Sequence, residues 1–129
     1  MYYITDTHSF IWYLTDDQRL SQKAYTIFEA CDRGEEIIVI PTIVLAEMIH
    51  ICEKKRVKIE FKSILEKMSG SLNYQPLSLT MEIILKIIDL IQIPDIHDRI
   101  IIATTSVVNG TLITKDKDIR ESNLVKTLW

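Results

Sequence analysis

Residues 37–40 read Ile-Ile-Val-Ile, four consecutive β-branched residues, and Pro41 follows at once. A strand with one wet face alternates apolar and polar side chains. An unbroken β-branched run instead belongs to a strand buried on both faces, as in a parallel sheet covered on each side. Parallel neighbours cannot be joined by tight hairpins; each needs a crossover, usually helical and right-handed. The rest of the chain supplies the pieces. Residues 2–5, 74–77, 111–114 and 124–128 read as further short strands. Between them lie helical patterns at 8–14, at 21–33 with Ser21 as cap and Gly34 as stop, at 61–68, at 80–91 and at 99–108, with a single helical turn at 117–121. Pro41 suits the first position of a helix running to Arg56. Residues 95–98 read as a loop, and Asn109-Gly110 as a stop. Three glycines and three prolines in 129 residues leave little room for long irregular segments. The expectation is one α/β domain over residues 1–129. Its central, mostly parallel sheet has about five strands, with helices on both faces.

A chain of this length, 47% apolar, can bury a core without a disulfide or a structural metal. Its formal charge of −3 argues against wrapping of bulk nucleic acid. It does not exclude a nuclease, because cations bound in an acidic site reverse its local sign. Cys31 and Cys52 are isolated and suit buried thiols in a reducing cytosol. The N-terminus has no basic stretch followed by an apolar run, so no secretory signal is expected. No apolar stretch approaches the roughly 20 residues that span a bilayer. A cytoplasmic protein without a membrane segment is expected.

Four carboxylates stand out. Asp6 follows the first strand, Asp98 stands at the start of the helix before the fourth, and Asp116 follows the fourth. Each aspartate alone is equally a helix cap, accepting a free backbone N–H, and one carboxylate can cap with one oxygen and bind a cation with the other. Glu47 is harder to explain structurally. It shares a helical stripe with Ile43 and Ile51, where an ionised glutamate costs several kcal/mol unless paired. The plainer reading puts it at the stripe's edge, pairing with His50 or Lys54. If the first and fourth strands are neighbours, Asp6 and Asp116 converge, with Asp98 and Glu47 closing the cluster, and no lysine or arginine shell is in view. All-oxygen ligation of this kind selects Mg²⁺ or Mn²⁺. Two such ions about 4 Å apart can stabilise the attacking and leaving oxygens of a phosphodiester.

The same residues carry a family resemblance. Asp6-Thr7-His8 after an apolar strand resembles the opening motif of PIN domains of the VapC toxin type. Pro41-Thr42-Ile43-Val44-Leu45-Ala46-Glu47 is similar to their second motif. The run from Ile96-His97-Asp98-Arg99 to Ala103-Thr104 is similar to the third, Leu112-Ile113-Thr114-Lys115-Asp116 to the fourth, and 125–129 to the closing strand. The motifs are collinear over essentially the whole chain. The resemblance implies an Mg²⁺- or Mn²⁺-dependent endoribonuclease whose site is Asp6, Glu47, Asp98 and Asp116. Asp118 stands where some relatives carry a further, subsidiary acid, and Asp95 is expected to cap or support. Thr7 and Thr114 are expected to orient carboxylates. The resemblance further implies a homodimer and a small cognate antitoxin with a basic residue aimed at the acids, suited by an apolar groove along the second and third helices.

Other chemistries find less support. His8, His50 and His97 match no zinc spacing. Neither a nucleophile elbow nor a phosphate-binding loop is present. Phe10, Trp12 and Tyr13 could stack on bases, but suit a core or dimer face better. The basic run 54–58 suits a solvated helix end. A phosphatase, a DNA or flap nuclease and a catalytically weak PIN scaffold serving as an interaction module remain as alternatives. A receiver domain would need a phosphoacceptor aspartate and a downstream lysine that cannot both be placed.

Overall fold

A computed structural model describes residues 1–129. Twelve elements follow in the order β1 (Tyr2–Thr5), α1 (Thr7–Leu14), α2 (Gln22–Asp32), β2 (Ile37–Pro41), α3 (Thr42–Lys55), α4 (Phe61–Ser69), β3 (Tyr74–Leu77), α5 (Met81–Ile87), α6 (Ile96–Val107), β4 (Thr111–Ile113), α7 (Lys117–Ser122) and β5 (Lys126–Leu128). The five strands form one sheet in the order β3-β2-β1-β4-β5. Every pairing is parallel, so the sheet is wholly rather than mostly parallel. The chain builds leftward from β1 to β3, crosses back through α5 and α6, and continues rightward through β4 and β5.

Consecutive residues are buried along the central strands: Tyr3, Ile4 and Thr5 in β1, and Ile38, Val39 and Ile40 in β2. Adjacent strand residues point to opposite faces, so both faces are covered. The main core joins these strands to Phe10, Phe28, Val44, Met48, Ile102 and Leu112. A second cluster packs Ile83 and Ile87 of α5 on Ile100 and Ala103 of α6. On the side of α1 and α2, Phe10 and Phe28 stack with centroids 5.8 Å apart. Asp32 accepts from the hydroxyls of both Tyr13 and Tyr74, tying α1, the end of α2 and β3 together. Burial and the Asp32 charge push both phenols above their ordinary pKa.

Several boundaries move. Pro41 is the last residue of β2, paired with Leu77, and α3 begins at Thr42. Residues 95–98 are not a loop: Asp95 caps α6, which begins at Ile96. The helix expected over 80–91 stops at Ile87, and the last strand is only Lys126–Leu128. Cys31 and Cys52 are buried and free. No helix is long and apolar enough to cross a membrane.

Between α6 and β4, Asn109 adopts φ 52° and Gly110 brings the chain against β1. A Cβ on Gly110 would meet the Ile4 methyl and lie 2.8 Å from the Tyr2 carbonyl oxygen. That carbonyl belongs to a paired strand and cannot retreat. Gly110→Ala is expected to destabilise the fold by about 1–3 kcal/mol, the ordinary range for overpacking. Thermal unfolding would show a Tm several degrees below wild type; an unchanged Tm would mean that β1 and β4 tolerate being pushed apart.

Candidate active site

Parallel pairing of β1 with β4, Thr5 opposite Ile113, sets the ends of these strands side by side. The strand order reverses here, and such points in open α/β sheets form crevices beyond the carboxyl ends of the strands. A cavity of about 530 Å³ occupies this place, lined by Asp6, Thr7, His8, Trp12, Glu47, Asp95, Asp98, Ile101, Thr114, Lys115, Asp116 and Ile119.

The acids arrive by three local devices: a cap after a strand, a place in a helix's first turn, and a helix border. Asp6 leaves β1 and caps α1, its Oδ1 accepting from the Ser9 N–H at 2.9 Å. Asp116 follows β4 and caps α7, accepting from the Ile119 N–H at 2.9 Å. The capping reading therefore holds for both, and each cap occupies one oxygen. Asp98 is not a cap. It sits in the first turn of α6, where the helix dipole favours an anion. The cap is Asp95, whose Oδ1 accepts from the N–H groups of His97 and Asp98 at 2.7 and 3.2 Å. Asp95 also lines the cavity.

Glu47 reaches the cavity from α3. The fully buried face of that helix is Val44, Met48 and Cys52. Ile43, Glu47 and Ile51 form its half-buried border, which is why an ionised side chain is tolerated there. Glu47 pairs with neither His50 nor Lys54. Its Oε1 accepts from the Thr7 hydroxyl at 3.0 Å, and its Oε2 lies 3.7 Å from His97 Nδ1. The same ring nitrogen is 3.5 Å from Asp95. Thr114 holds the other side of the site. Its hydroxyl accepts from the Asp116 N–H at 3.1 Å and serves the Asp6 carboxylate.

The electrostatics are those of crowded like charges. Burial raises the Asp6 carboxyl above its usual range, with hydrogen bonds from Ser9 and Thr114 partly offsetting it. Asp98 is pushed up to about 6, first by burial and then by the charges of Asp95, Asp116, Glu47 and Asp6. No three His, Cys, Asp or Glu side chains converge closely enough to hold one ion among themselves. The acids surround a space rather than meet at a point. That arrangement, with oxygen donors only, fits Mg²⁺ or Mn²⁺, since such ions keep several waters and take only one or two carboxylates directly.

Asp118 is placed elsewhere: it is exposed in the first turn of α7 and does not line the cavity. No lysine or arginine shell is expected around the acids; the cavity lining holds one such residue, Lys115, which pairs with none of them. Its place in Thr-Lys-Asp between two site residues was the available signal. An apolar groove is expected along the second and third helices; the apolar cavity found lies instead between α1 and α4. There, a cavity of about 120 Å³ is lined by Phe10, Tyr13, Leu14, Ile64 and Met68, with Asp32 and Lys67 among its charged groups.

The family model for the PIN domain matches residues 3–123. Among solved structures, the fold resembles VapBC2 from Rickettsia felis bound to a DNA fragment from its promoter, with a TM-score of 0.73 and 17% identity over 99% of this chain and 98% of that one. It also resembles a toxin-antitoxin complex from Klebsiella pneumoniae, with a TM-score of 0.67 and 21% identity over 95% of this chain and 93% of that one. For FitAcB from Neisseria gonorrhoeae the TM-score is 0.65 and the identity 13%, over 98% and 96% of the two chains. Identities this low speak to the fold. No curated protein matches the sequence.

The repulsion has a measurable sign. The folded pKa of Asp98, about 6, lies above the roughly 3.9 of an unfolded aspartate. Its ionised form therefore destabilises the metal-free fold above about pH 6, and the penalty disappears as pH falls through the window toward 4. Asp98→Asn is expected to stabilise the metal-free protein at pH 7.5 by about 1 kcal/mol, after discounting for solvent screening at this half-buried position. The gain should vanish near pH 4 in denaturation curves recorded with EDTA. A loss of stability at pH 7.5 would instead mean that the carboxylate is held by attractive partners.

Proposed function

This chain belongs to the PIN-domain family, and from that premise we propose that it is an Mg²⁺- or Mn²⁺-dependent endoribonuclease, the toxin half of a toxin–antitoxin pair. One observation carries the reading: acids from four separate elements face a single cavity at the reversal of strand order. Burial and, after it, the charges of the neighbouring acids raise the cost of ionising Asp98. A scaffold has no use for that cost, whereas a cation site requires it.

In this proposal Asp6, Glu47, Asp98 and Asp116 hold the cation, directly or through its waters. When bound, the cation supplies Lewis acidity toward the phosphodiester and its attacking water. The chain does the positioning. The caps on Ser9 and Ile119 fix Asp6 and Asp116, leaving a second oxygen of each for the cavity. Thr7 fixes Glu47, which leaves Glu47 Oε2 to orient water. Because water is the nucleophile, the ribose 2′-hydroxyl is not needed, and the products carry 5′-phosphate and 3′-hydroxyl ends. That choice also separates RNA cutting from a DNA or flap nuclease only by substrate, which the assay below decides.

The antitoxin is proposed from the resemblance and from the toxin–antitoxin complexes among the structural neighbours. The apolar cavity between α1 and α4 suits an apolar side chain of such a partner. A cytoplasmic setting agrees with two free, buried cysteines. The proposed homodimer has a face available: Met81, Leu85, Ile88 and Ile91, on and just beyond α5, are 72, 59, 63 and 77% exposed. A second copy is the occupant proposed for it, since two-fold pairing covers the same patch on both subunits at once.

Purified chain is expected to cut a structured RNA with Mn²⁺ or Mg²⁺, to stop in EDTA, and to lose at least about a hundredfold in rate as Asp6→Asn while staying folded, as for loss of electrostatic machinery. It should leave DNA of the same sequence intact. Cleavage by Asp6→Asn at the wild-type rate, or 2′,3′-cyclic phosphate ends, would overturn the assignment. For the dimer, sedimentation equilibrium should find wild type as two copies and Leu85→Glu as one; a dimeric variant would place the interface elsewhere.

A further inference from the structure

We infer that Lys115 binds a phosphate flanking the scissile one and so helps the enzyme take hold of its RNA strand. This rests on the nuclease reading of the same cavity. Lys115 is the only lysine or arginine lining that cavity. It follows Thr114, whose N–H donates to the Leu128 carbonyl at 3.3 Å, so its backbone is anchored to the end of β5. Its ammonium lies 5.7 Å from the centroid of the Trp12 ring. A cation over an indole face is attracted by the ring quadrupole, which steadies an otherwise flexible side chain.

The platform under Lys115 is itself held. Trp12 is only 8% exposed. Its ring meets Trp129 edge-on at 5.9 Å and His8 at 5.8 Å. Five carboxylates line the cavity, yet the ion pairs within 4.0 Å involve Arg19, Arg33, His97 and Lys117 and never Lys115. An exposed ammonium at a cavity lined by acids, ion-paired with none of them, is free to meet an incoming anion.

One lining thus holds two kinds of group. Asp6, Glu47, Asp98 and Asp116 would take the cations over which the phosphate being cut must lie, and Lys115 supplies the lining's one lysine or arginine. An RNA strand carries one negative charge per nucleotide, so a phosphate next to the scissile one finds there a point charge suited to it. Lysine offers no fixed fork for reading a base edge, so the contact positions the strand and carries no sequence information.

The test compares wild type, Lys115→Met and Lys115→Arg in Mn²⁺-dependent cleavage of one structured RNA transcript across a salt series, with Mn²⁺ affinity measured by calorimetry. Lys115→Met is expected to raise KM about tenfold, as for loss of one phosphate contact worth a factor of ten in binding, while kcat changes by less than about threefold. The slope of log kcat/KM against log salt should flatten by about 0.7, one single-strand phosphate contact. Lys115→Arg should restore KM and slope, and Mn²⁺ should bind the Met variant at least as tightly as wild type. If Lys115→Met keeps the wild-type KM and salt slope, or loses Mn²⁺ affinity in step with activity, Lys115 does not hold substrate and this inference fails alone. If wild type itself does not cut, the nuclease reading fails and this inference fails with it.

Discussion

Parallel pairing between β1 and β4 is the contact on which the site depends. These strands are more than a hundred residues apart in sequence and become neighbours only because the crossover through α5 and α6 returns the chain past β2 and β1. The Asp6 N–H donates to the Ile113 carbonyl at 3.2 Å, so the first residue beyond β1 is stitched to the last residue of β4. The approach is close because Gly110 lets β4 begin against Tyr2 and Ile4. Asp6 and Asp116 are thereby set on adjacent strand ends without either having to reach for the other.

Crowding carboxylates in this way costs free energy, and the local structure offsets part of it. Asp6, Asp95 and Asp116 each cap a helix, so three helix N-termini point toward the cavity edge. Backbone N–H groups and the associated dipoles stabilise anions there. Threonine hydroxyls finish the work at Glu47 and Asp6. Asp98 caps nothing, and burial followed by the charges of the other acids raises its carboxyl. Capping is therefore compatible with the cation binding proposed for the same cavity. The cap fixes one oxygen's direction, and the geometry of the carboxylate then fixes the other.

Much of this was legible in the chain before folding. The unbroken Ile37–Ile40 run marked a doubly covered strand, and Asp-Thr-His, Pro-to-Glu47, His-Asp-Arg and Thr-Lys-Asp marked the strand ends and helix starts. Boundaries were less legible. Residues 95–98 look like a loop because Pro94 and Asp95 are turn formers, and only the hydrogen bonds from His97 and Asp98 to Asp95 show that the aspartate opens α6 instead. Glu47 looked like an acid in an apolar stripe. The helix is in fact rolled so that Val44, Met48 and Cys52 take the deepest positions, leaving Glu47 at the border. A stripe's rotation about its axis is set by what it packs on, which periodicity alone does not fix.

By itself the sequence determined the kinds of element and the parallel character of the sheet, because these follow from side-chain branching, period and hydrogen-bonding capacity along neighbouring residues. Tertiary structure alone decided the strand order, the partners of Glu47, the exclusion of Asp118 from the cavity and the arrival of Lys115 within it. Those outcomes depend on which distant segments pack together. Asp116 and Asp118 are two residues apart in sequence and both exposed, and only the start of α7 against β4 brings one into the cavity lining and leaves the other outside it.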